Sequence, residues 1–262
     1  MTLTDAMALG LLQGLTEFLP VSSSGHLAIA QHWLAGFEQP GILFDVMLHL
    51  GTLGAVLVYF WRDIQRLLTS PWDRSPAGAA SRRQLGLIVI GSVPTAAIGL
   101  GFKDFFEGMY HNMLLVGAML LITGALLFAA ERWRPGQREL SDLTRFDALF
   151  TGLVQGLAVA PGISRSGSTI SALLFRGVTP DSAARFSFLL SLPAIGGAAL
   201  LSLRDFQHLA TDQIPLYLAG SGVAFFSGLL AIHFLLGILR RRRLAFFALY
   251  CWAVASLLFV LS

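Results

Sequence analysis

The segment DAMALGLLQGLTEFLPVSSSG at residues 5–25 recurs as DALFTGLVQGLAVAPGISRSG at residues 147–167. Ten of the twenty-one positions are identical at a constant offset of 142, and Phe44 still matches Phe186 further along. Each copy is an apolar run that ends at a proline and continues into a stretch rich in serine and glycine. Because this pattern is typical of the broken helices in duplicated membrane proteins, we expect one repeat in each half of the chain.

The composition indicates an integral membrane protein. Of the 262 residues, 55% are hydrophobic and only 13% are charged, and the mean hydropathy is +0.70. This balance leaves too little polar surface for a soluble globule. Several apolar runs are close to the roughly 20 residues that a helix needs to cross the hydrocarbon core. They cover residues 42–61, 85–102, 113–130, 185–203, 215–239 and 244–261.

Two further apolar runs, 3–19 and 147–160, each end at a proline and are followed by a second, shorter apolar run. This pattern is typical of a re-entrant helical hairpin. We therefore predict an all-α integral membrane protein with six transmembrane helices and two re-entrant helical hairpins. The predicted single membrane domain, 1–262, consists of a first repeat, 1–141, and a second repeat, 142–262.

The positive charges predict the orientation of the chain. Thirteen of the eighteen Lys and Arg residues lie in the loops 62–84, 131–146 and 240–243, which we expect to be cytoplasmic. The alternate loops, 103–112 and 204–214, carry one basic residue each, Lys103 and Arg204, and are predicted to lie outside. Both termini are then outside, and three spans separate equivalent points of the repeats. Because three is odd, the repeats are predicted to have inverted topology, which brings both hairpins toward mid-membrane.

Polar side chains are concentrated in the two predicted hairpins. In the first, Gln13 and Glu17 are four residues apart and share one helix face. An intramembrane glutamate is costly unless it has a partner or lines a water-filled cavity. Glu17 is therefore a candidate functional residue, and the alternative is that it only pairs with Arg165 as a clamp between the repeats.

The serine-rich stretches predict an anion site. Ser24 in the first stretch, and Ser166 or Ser168 in the second, are candidate N-caps of the short helices that follow. Two helix N-termini would then face the cavity and favour an anion. Arg165 adds a fork of donors that suits phosphate oxygens, so the expected ligand is phosphate or diphosphate.

The same hairpin also holds groups that hydrolysis needs. The hydroxyls of Ser22 and Ser23 offer a nucleophile or a means to position water, and His26 offers proton transfer. Serines in membrane helices often only cap or bond to nearby backbone, which is the alternative for each one singly. Asp45 and His49, four residues apart within an apolar run, either assist at the cavity or lie at the outer interface; we favour assistance.

At these residues the chain resembles the undecaprenyl-diphosphate phosphatase family, also called bacitracin-resistance proteins, over essentially its whole length. The family pattern (Glu/Gln)-x-x-x-Glu matches Gln13 and Glu17. Pro-Val-Ser-Ser-x-Gly-His matches residues 20–26, and Pro-Gly-x-Ser-Arg-Ser-x-x-Thr matches residues 161–169. These motifs occur in order, which chance does not plausibly give.

The resemblance implies hydrolysis of undecaprenyl diphosphate to undecaprenyl phosphate and inorganic phosphate in the bacterial cytoplasmic membrane. This reaction recycles the lipid carrier for peptidoglycan and confers bacitracin resistance. Carried over to this chain, Ser23 is the candidate nucleophile, His26 the proton-transfer partner, Glu17 a base or metal ligand, and Arg165 the clamp on the phosphates. The remaining candidate substrate-binding residues are Gln13, Ser22, Ser24, Gly25, Ser164, Ser166 and Thr169.

The resemblance also implies a divalent cation, Mg²⁺ or else Ca²⁺, which would neutralise the charge of a diphosphate. Glu17 is the candidate ligand, whereas the neutral amide of Gln13 is a weaker ligand for a hard cation than a carboxylate. The expected partners are a polyprenyl diphosphate and the surrounding lipid; nucleic acid is excluded, and a homodimer is left open. The rival interpretation is that the protein is a transporter or flippase for a polyprenyl phosphate or other anion, because inverted repeats with broken helices are common in transporters. Against it, passage of an anion needs no nucleophile beside a proton-transfer group.

Overall fold

The structure is a computed structural model that describes residues 1–34, 43–134, 136–201, 213–241 and 243–261. Within these ranges the chain is helical, with one short 3₁₀ turn at Leu140–Asp142. The helices of the first half are α1 Leu3–Phe18, α2 Ser23–Trp33, α3 Leu43–Tyr59, α4 Trp61–Thr69, α5 Pro76–Gly101, α6 Lys103–Met109 and α7 Met113–Arg132. Those of the second half are α8 Arg145–Leu157, α9 Arg165–Phe175, α10 Pro180–Leu201, α11 Ile214–Arg240 and α12 Ala245–Leu261. The prediction of an all-α chain is confirmed over these residues.

Both copies of the repeat begin their first helix in the same way. Thr2 caps α1 and Thr144 caps α8, each through a capping box with the aspartate three residues later. The hydroxyl accepts the backbone N–H of that aspartate while the carboxylate accepts the backbone N–H of the cap, so two unpaired donors are satisfied at each end. The starts of α1 and α8, which are 142 residues apart in sequence, therefore also have the same local structure.

The second helix of each copy begins earlier than predicted. Ser22 caps α2 and Ser164 caps α9, again 142 residues apart. The prediction of Ser24 and of Ser166 or Ser168 as N-caps was wrong, because all three lie inside the helices. The serine that leads each cluster is the one whose hydroxyl reaches the N–H of the glycine three residues on, the usual N-cap geometry.

Four helices among those described are long and apolar enough to cross a bilayer: α5, α7, α10 and α11. A fifth apolar unit consists of α3 and α4, which meet at an angle of 79°, and α12 is a shorter apolar helix. The regions predicted as the loops 62–84 and 103–112 contain α4 and α6. Helix α5 begins at Pro76 rather than at residue 85, because Ser75 caps it and proline is well tolerated in the first helical turn.

Each half of the chain packs its first helix against a long helix of the other half. Helix α1 lies against α11, where Gly10 faces Gly220, and α8 lies against α5, where Gly152 faces Gly91. A Cβ at Gly10 would lie 2.2 Å from the carbonyl oxygen of Gly220, and one at Gly152 would lie 2.0 Å from that of Gly91. Two backbones approach so closely only where side chains are absent, as at other membrane helix crossings.

The hydrophobic core joins the helices around the first hairpin to those of the second half. Phe18 at the end of α1 packs edge-on against Phe188 of α10, with ring centroids 5.6 Å apart. Both rings are fully buried, as are Val56 of α3 and Ile232 of α11 in the same cluster. This packing fixes the end of α1, from which the polar segment continues.

Ion pairs and hydrogen bonds gather the basic segments at one end of the bundle. Arg185 of α10 pairs with Asp63 of α4 at 2.9 Å, and Asp181 on the first turn of α10 pairs with Arg240 at 2.9 Å. Arg83 donates to the backbone carbonyl of Ser141. The three segments predicted to be cytoplasmic are therefore neighbours in space. Arg204, assigned to an outer loop from the sequence, lies outside the described residues, as does Arg242.

Candidate active site

The turns that follow α1 and α8 contact each other. Ser22 has a φ of +72°, a left-handed conformation that is unusual for a residue with a side chain. Its hydroxyl accepts the N–H of Gly25 at 3.3 Å and that of Gly162, from the other repeat, at 3.1 Å. A Cβ on Gly25 would lie 3.0 Å from the backbone of Gly162. Strain at Ser22 is thus maintained by bonds that tie the two turns together.

Glu17 is the centre of the polar cluster, and its side chain is only 5% exposed. One carboxylate oxygen accepts the hydroxyl of Ser23 at 2.5 Å and the amide of Gln13 at 3.0 Å. The other accepts a guanidinium N–H of Arg165 at 2.6 Å. A serine whose hydroxyl donates to a carboxylate can transfer its proton there, so the geometry allows Glu17 to accept the proton of Ser23.

His49 joins this cluster from α3. Its Nδ1 lies 3.3 Å from Glu17 Oε2 and 2.8 Å from Gln13 Nε2. Asp45, one turn earlier on the same helix, accepts a hydrogen bond of 2.7 Å from Gln31 of α2. Of the predicted assisting pair, His49 thus contacts the cluster directly, whereas Asp45 lies one helical turn away and links α3 to α2.

Both ring nitrogens of His26 contact partners other than the hydroxyl of Ser23. Its Nδ1 lies 2.8 Å from the backbone carbonyl of Ser22, and its Nε2 lies 2.8 Å from the hydroxyl of Tyr250 on α12. The two rings are parallel within 8°, with centroids 5.6 Å apart. Ser23 therefore has Glu17 as its direct partner, and His26 is linked to α12.

The second turn leads into α9 and supplies the guanidinium of Arg165 and the N-terminus of that helix. Ser164 accepts the N–H of Gly167 at 3.1 Å, and the hydroxyl of Ser166 lies 3.3 Å from that of Ser164. Thr169 donates to the backbone carbonyl of Arg165 at 2.8 Å and lies 2.6 Å from the hydroxyl of Ser187. These bonds hold Arg165 on the first turn of α9, where its side chain reaches Glu17.

Three further polar residues near the two turns carry no motif in the sequence. Thr123 of α7 accepts the N–H of Ser164 at 3.0 Å and donates to the carbonyl of Gly162 at 2.8 Å. Tyr110, between α6 and α7, hydrogen-bonds to Ser24, and burial raises the pKa of its hydroxyl. Tyr250 contacts His26 as described above. Thr123 and Tyr250 are single polar residues within apolar runs, Tyr110 lies in a predicted loop, and the spacing of the motifs gives no signal for any of them.

Several buried polar atoms of the cluster have no hydrogen-bond partner among the described residues. They include Nη1 of Arg165, Oε1 of Gln13 and the hydroxyl of Ser168. A buried donor or acceptor without a partner is costly, so these atoms are natural contacts for a ligand. Nη1 of Arg165 suits a phosphate oxygen in particular, since the guanidinium already has its other terminal nitrogen on Glu17.

The polar cluster offers few ligands for a metal ion. The described residues hold no group of three or more His, Cys, Asp or Glu side chains arranged to bind a metal ion. At the cluster the chain offers the carboxylate of Glu17 and the unpartnered Oε1 of Gln13. Two oxygens fit Mg²⁺ only when phosphate oxygens and water complete its octahedron, which is its usual mode of binding beside a phosphorylated substrate.

The fold and the site together define a multi-pass helical membrane protein in which two turns, one from each half, contact each other beside a buried polar cluster. Residues 6–257 match the model of the bacitracin resistance protein BacA, and the chain belongs to that family.

Curated relatives cover the same length. The chain is 55% identical to an undecaprenyl-diphosphatase of Syntrophotalea carbinolica over 100% of both proteins. It is 45% identical to an undecaprenyl-diphosphatase of Carboxydothermus hydrogenoformans, covering 98% of this chain and 97% of the relative. It is also 38% identical to undecaprenyl-diphosphatase 4 of Bacillus thuringiensis, covering 98% of this chain and 96% of the relative. The resemblance inferred from the motifs is thus confirmed.

Proposed function

We propose that this protein hydrolyses undecaprenyl diphosphate to undecaprenyl phosphate and inorganic phosphate. This returns the lipid carrier to peptidoglycan synthesis and confers bacitracin resistance. The observation that carries the proposal is the carboxylate of Glu17, which accepts the Ser23 hydroxyl at 2.5 Å and Arg165 at 2.6 Å. The proposed nucleophile Ser23 and the phosphate-binding guanidinium of Arg165 therefore both contact the carboxylate of Glu17, the proposed base. The family membership and the names of the full-length relatives support the same reaction.

In the first step, the Ser23 oxygen attacks the terminal phosphorus while Glu17 accepts the hydroxyl proton. The bond from this phosphorus to the bridging oxygen breaks, and undecaprenyl phosphate leaves with the bonding electrons. Glu17 then passes this proton to an oxygen of the departing undecaprenyl phosphate, which restores the carboxylate. In the second step, water attacks the phosphorus of the phosphoserine, Glu17 accepts a proton from the water and donates it to the Ser23 oxygen, and inorganic phosphate leaves. The guanidinium of Arg165 and the N-termini of α2 and α9 stabilise the charge on the transferred phosphoryl group.

The divalent cation is proposed to arrive with the substrate. Glu17 and the Oε1 atom of Gln13 are the oxygen ligands that this chain offers, and the diphosphate and water complete the set. A bound Mg²⁺, or Ca²⁺ in its place, would neutralise charge on the diphosphate. A carboxylate at position 13 would strengthen such a site, so the amide of Gln13 keeps the affinity of the free protein for the cation low.

We also propose the complete arrangement in the membrane. Residues 1–141 and 142–262 form two repeats of inverted topology, with six transmembrane helices and two re-entrant hairpins in the bacterial cytoplasmic membrane. The loops 62–84, 131–146 and 240–243 face the cytoplasm, and both termini lie outside. The proposal is supported by the equivalent caps of α1 and α8, by the contact between the two turns, and by the ion pairs that gather the basic segments. A homodimer is left open by these contacts.

The test is phosphate release from undecaprenyl diphosphate by the detergent-purified protein, with Mg²⁺ and with a chelator. Wild type is compared with Ser23→Ala, Glu17→Ala and Arg165→Ala, each shown to be folded by size-exclusion chromatography. We expect release to fall by roughly 10²–10⁴-fold in each variant, the range for loss of a group that transfers or stabilises charge. Ser92→Ala, which removes a hydroxyl bonded only to its own helix, is the control and should keep full activity. No release from folded wild type would instead favour a transporter, to be tested by flux in liposomes.

A further inference from the structure

Tyr250 and His26 form a contact that the proposed reaction leaves unexplained. Tyr250 lies on α12, a helix of largely apolar sequence, and its hydroxyl is 2.8 Å from His26 Nε2. The same helix touches the first turn through Cys251, whose thiol is 3.9 Å from the carbonyl of Pro20. His26 is 7% exposed whereas Tyr250 is 43% exposed, so the phenol ring lies between the histidine and the surface of the bundle.

The bond at Nδ1 defines the chemistry at Nε2. The carbonyl of Ser22 can only accept, so Nδ1 of His26 carries a proton in the 2.8 Å contact between them. A neutral imidazole then has its lone pair on Nε2, and the hydroxyl of Tyr250 donates to it. When Nε2 gains a proton, the same hydroxyl can accept, because a phenol has both a donor and lone pairs. The contact thus suits both charge states of His26.

We propose that Tyr250 relays protons between His26 and the phosphate group of the substrate. The inference rests on the proposed function, since it assigns the work of His26 in that reaction. The carbonyl of Ser22 fixes the tautomer of His26, and the hydroxyl of Tyr250 occupies the lone pair of Nε2, so a proton reaches or leaves Nε2 through the phenol. Ser23 needs no help from His26 to lose its proton, because Glu17 is its direct acceptor. The phenol gives its proton to Nε2 as it takes one from a phosphate oxygen, and the reverse transfer returns both protons.

The kinetic experiment compares Tyr250→Phe with wild type, using phosphate release from undecaprenyl diphosphate. Phenylalanine keeps the ring beside His26 and removes only the hydroxyl. We expect kcat to fall about tenfold with KM within about twofold, since one hydrogen bond is lost and substrate binding is untouched. In the background of His26→Gln, the same change should alter kcat by less than about twofold, because residues that act as a unit are non-additive. Additive effects of the two changes would overturn the proposal.

A matched control is available in the same molecule. Tyr59 of α3 and His233 of α11 form another tyrosine–histidine pair, with the hydroxyl 3.4 Å from Nδ1, exposed on the side of the bundle. Tyr59→Phe should leave kcat and KM unchanged. An equal loss in Tyr59→Phe and Tyr250→Phe would mean that any lost phenol disturbs the bundle, which contradicts a specific role for Tyr250.

A spectroscopic readout separates this proposal from the proposed function. In protein labelled with ¹⁵N-histidine and reconstituted in liposomes, the His26 signals are assigned by their loss in His26→Gln. The wild type should show a protonated Nδ1 and a hydrogen-bonded Nε2. In Tyr250→Phe, the Nε2 signal should move toward the value of a free ring nitrogen, whereas in Tyr59→Phe it should stay. An Nε2 signal that does not respond to Tyr250→Phe would refute the contact, whether or not the wild type releases phosphate.

Discussion

Glu17 and Arg165 come from different halves of the chain, and their contact makes one site from two turns. The pair is largely buried, with side chains 5% and 15% exposed. Each charge is tolerable there because the other is present, and the extra bonds from Ser23 and Gln13 satisfy the carboxylate further. The ion pair predicted in the clamp alternative is thus present, and it links the two halves whether or not Glu17 also acts as a base.

This ion pair makes a prediction about stability. Arg165→Ala should destabilise the protein by about 3–5 kcal/mol, because it leaves the buried carboxylate of Glu17 without its main counter-charge. Adding Glu17→Gln should recover part of that loss, since an amide needs no counter-ion. The measurement is the midpoint of thermal unfolding in detergent for both variants and wild type. A double variant no more stable than Arg165→Ala would show that the charge of Glu17 is not the cause.

The sequence predicted the residues that carry charge or a motif and missed those that only complete a contact. Glu17 is conspicuous because a carboxylate in an apolar run is costly, and Arg165 and Ser23 stand in proline- and serine-rich stretches that no simple span needs. Tyr250 gave no signal, because one tyrosine in an apolar helix is ordinary in membrane proteins. That it meets His26 depends on the packing of α12 against the first turn, which local pattern does not encode.

At the scale of elements, the glycine contacts make a prediction about helix packing. Gly10→Val should prevent α1 from seating on α11, because its Cβ would lie 2.2 Å from the carbonyl oxygen of Gly220. We expect loss of folded, monodisperse protein on size-exclusion chromatography. Gly222→Val, on the same α11 but with no atom within 4 Å of the added Cβ, is the matched control. Folded protein from Gly10→Val at the yield of Gly222→Val would contradict this packing.

A second prediction compares the two copies of the repeat at the start of α1 and α8. Asp147 is fully buried and accepts from Arg138 at 2.5 Å and from Arg176 at 2.8 Å, whereas its equivalent, Asp5, is half-buried and bonds only within its capping box among the described residues. Asp147→Asn should lower the free energy of unfolding by about 1.5–3 kcal/mol, because the charge-assisted hydrogen bonds from two partly exposed arginines are weakened. Asp5→Asn should change stability little. Equal effects of the two substitutions on thermal unfolding would argue against the buried network.

Element boundaries were less predictable than element type. The hydropathy pattern gave the long helices, but the regions predicted as loops contain α4 and α6. Helix α4 is amphipathic, with Ile64 and Leu67 buried and Arg62 and Arg66 exposed, so no continuous apolar run marks it. The caps were misplaced by two residues or more because every serine in each cluster is a good N-cap by type. Contact with Gly162 distinguishes Ser22, and such a contact is visible only in the fold.

For the whole molecule, the proposed orientation is tested by labelling. Single cysteines are introduced at Ala80, in the segment predicted to be cytoplasmic, and at His111, in a segment predicted to be outside; both positions are exposed. An impermeant maleimide added to intact cells should label His111→Cys and not Ala80→Cys, and disruption of the cells should expose Ala80→Cys. Native Cys251 is fully buried and serves as the background control. The reverse pattern of labelling would invert the proposed topology.

The packing of the halves also bears on the rival function. Alternating access usually moves one repeat as a body against the other. Here α1 of the first half is seated on α11 of the second, and α8 of the second is seated on α5 of the first. If the two repeats moved against each other as rigid bodies, both glycine contacts would break. The exchange of helices therefore favours a fixed site in which the substrate moves and the protein stays in place.

The seating of α1 on α11 also sets an order of assembly during synthesis. About 200 residues separate the end of α1 from the start of α11, so the ribosome has made most of the chain before this partner emerges. At roughly 5–20 residues per second, that interval is about 10–40 s. The glycine face of α1 stays open throughout it, and the carboxylate of Glu17 lacks Arg165 for about the first three quarters of it. The first helix to be made thus reaches its final place only when translation is nearly over.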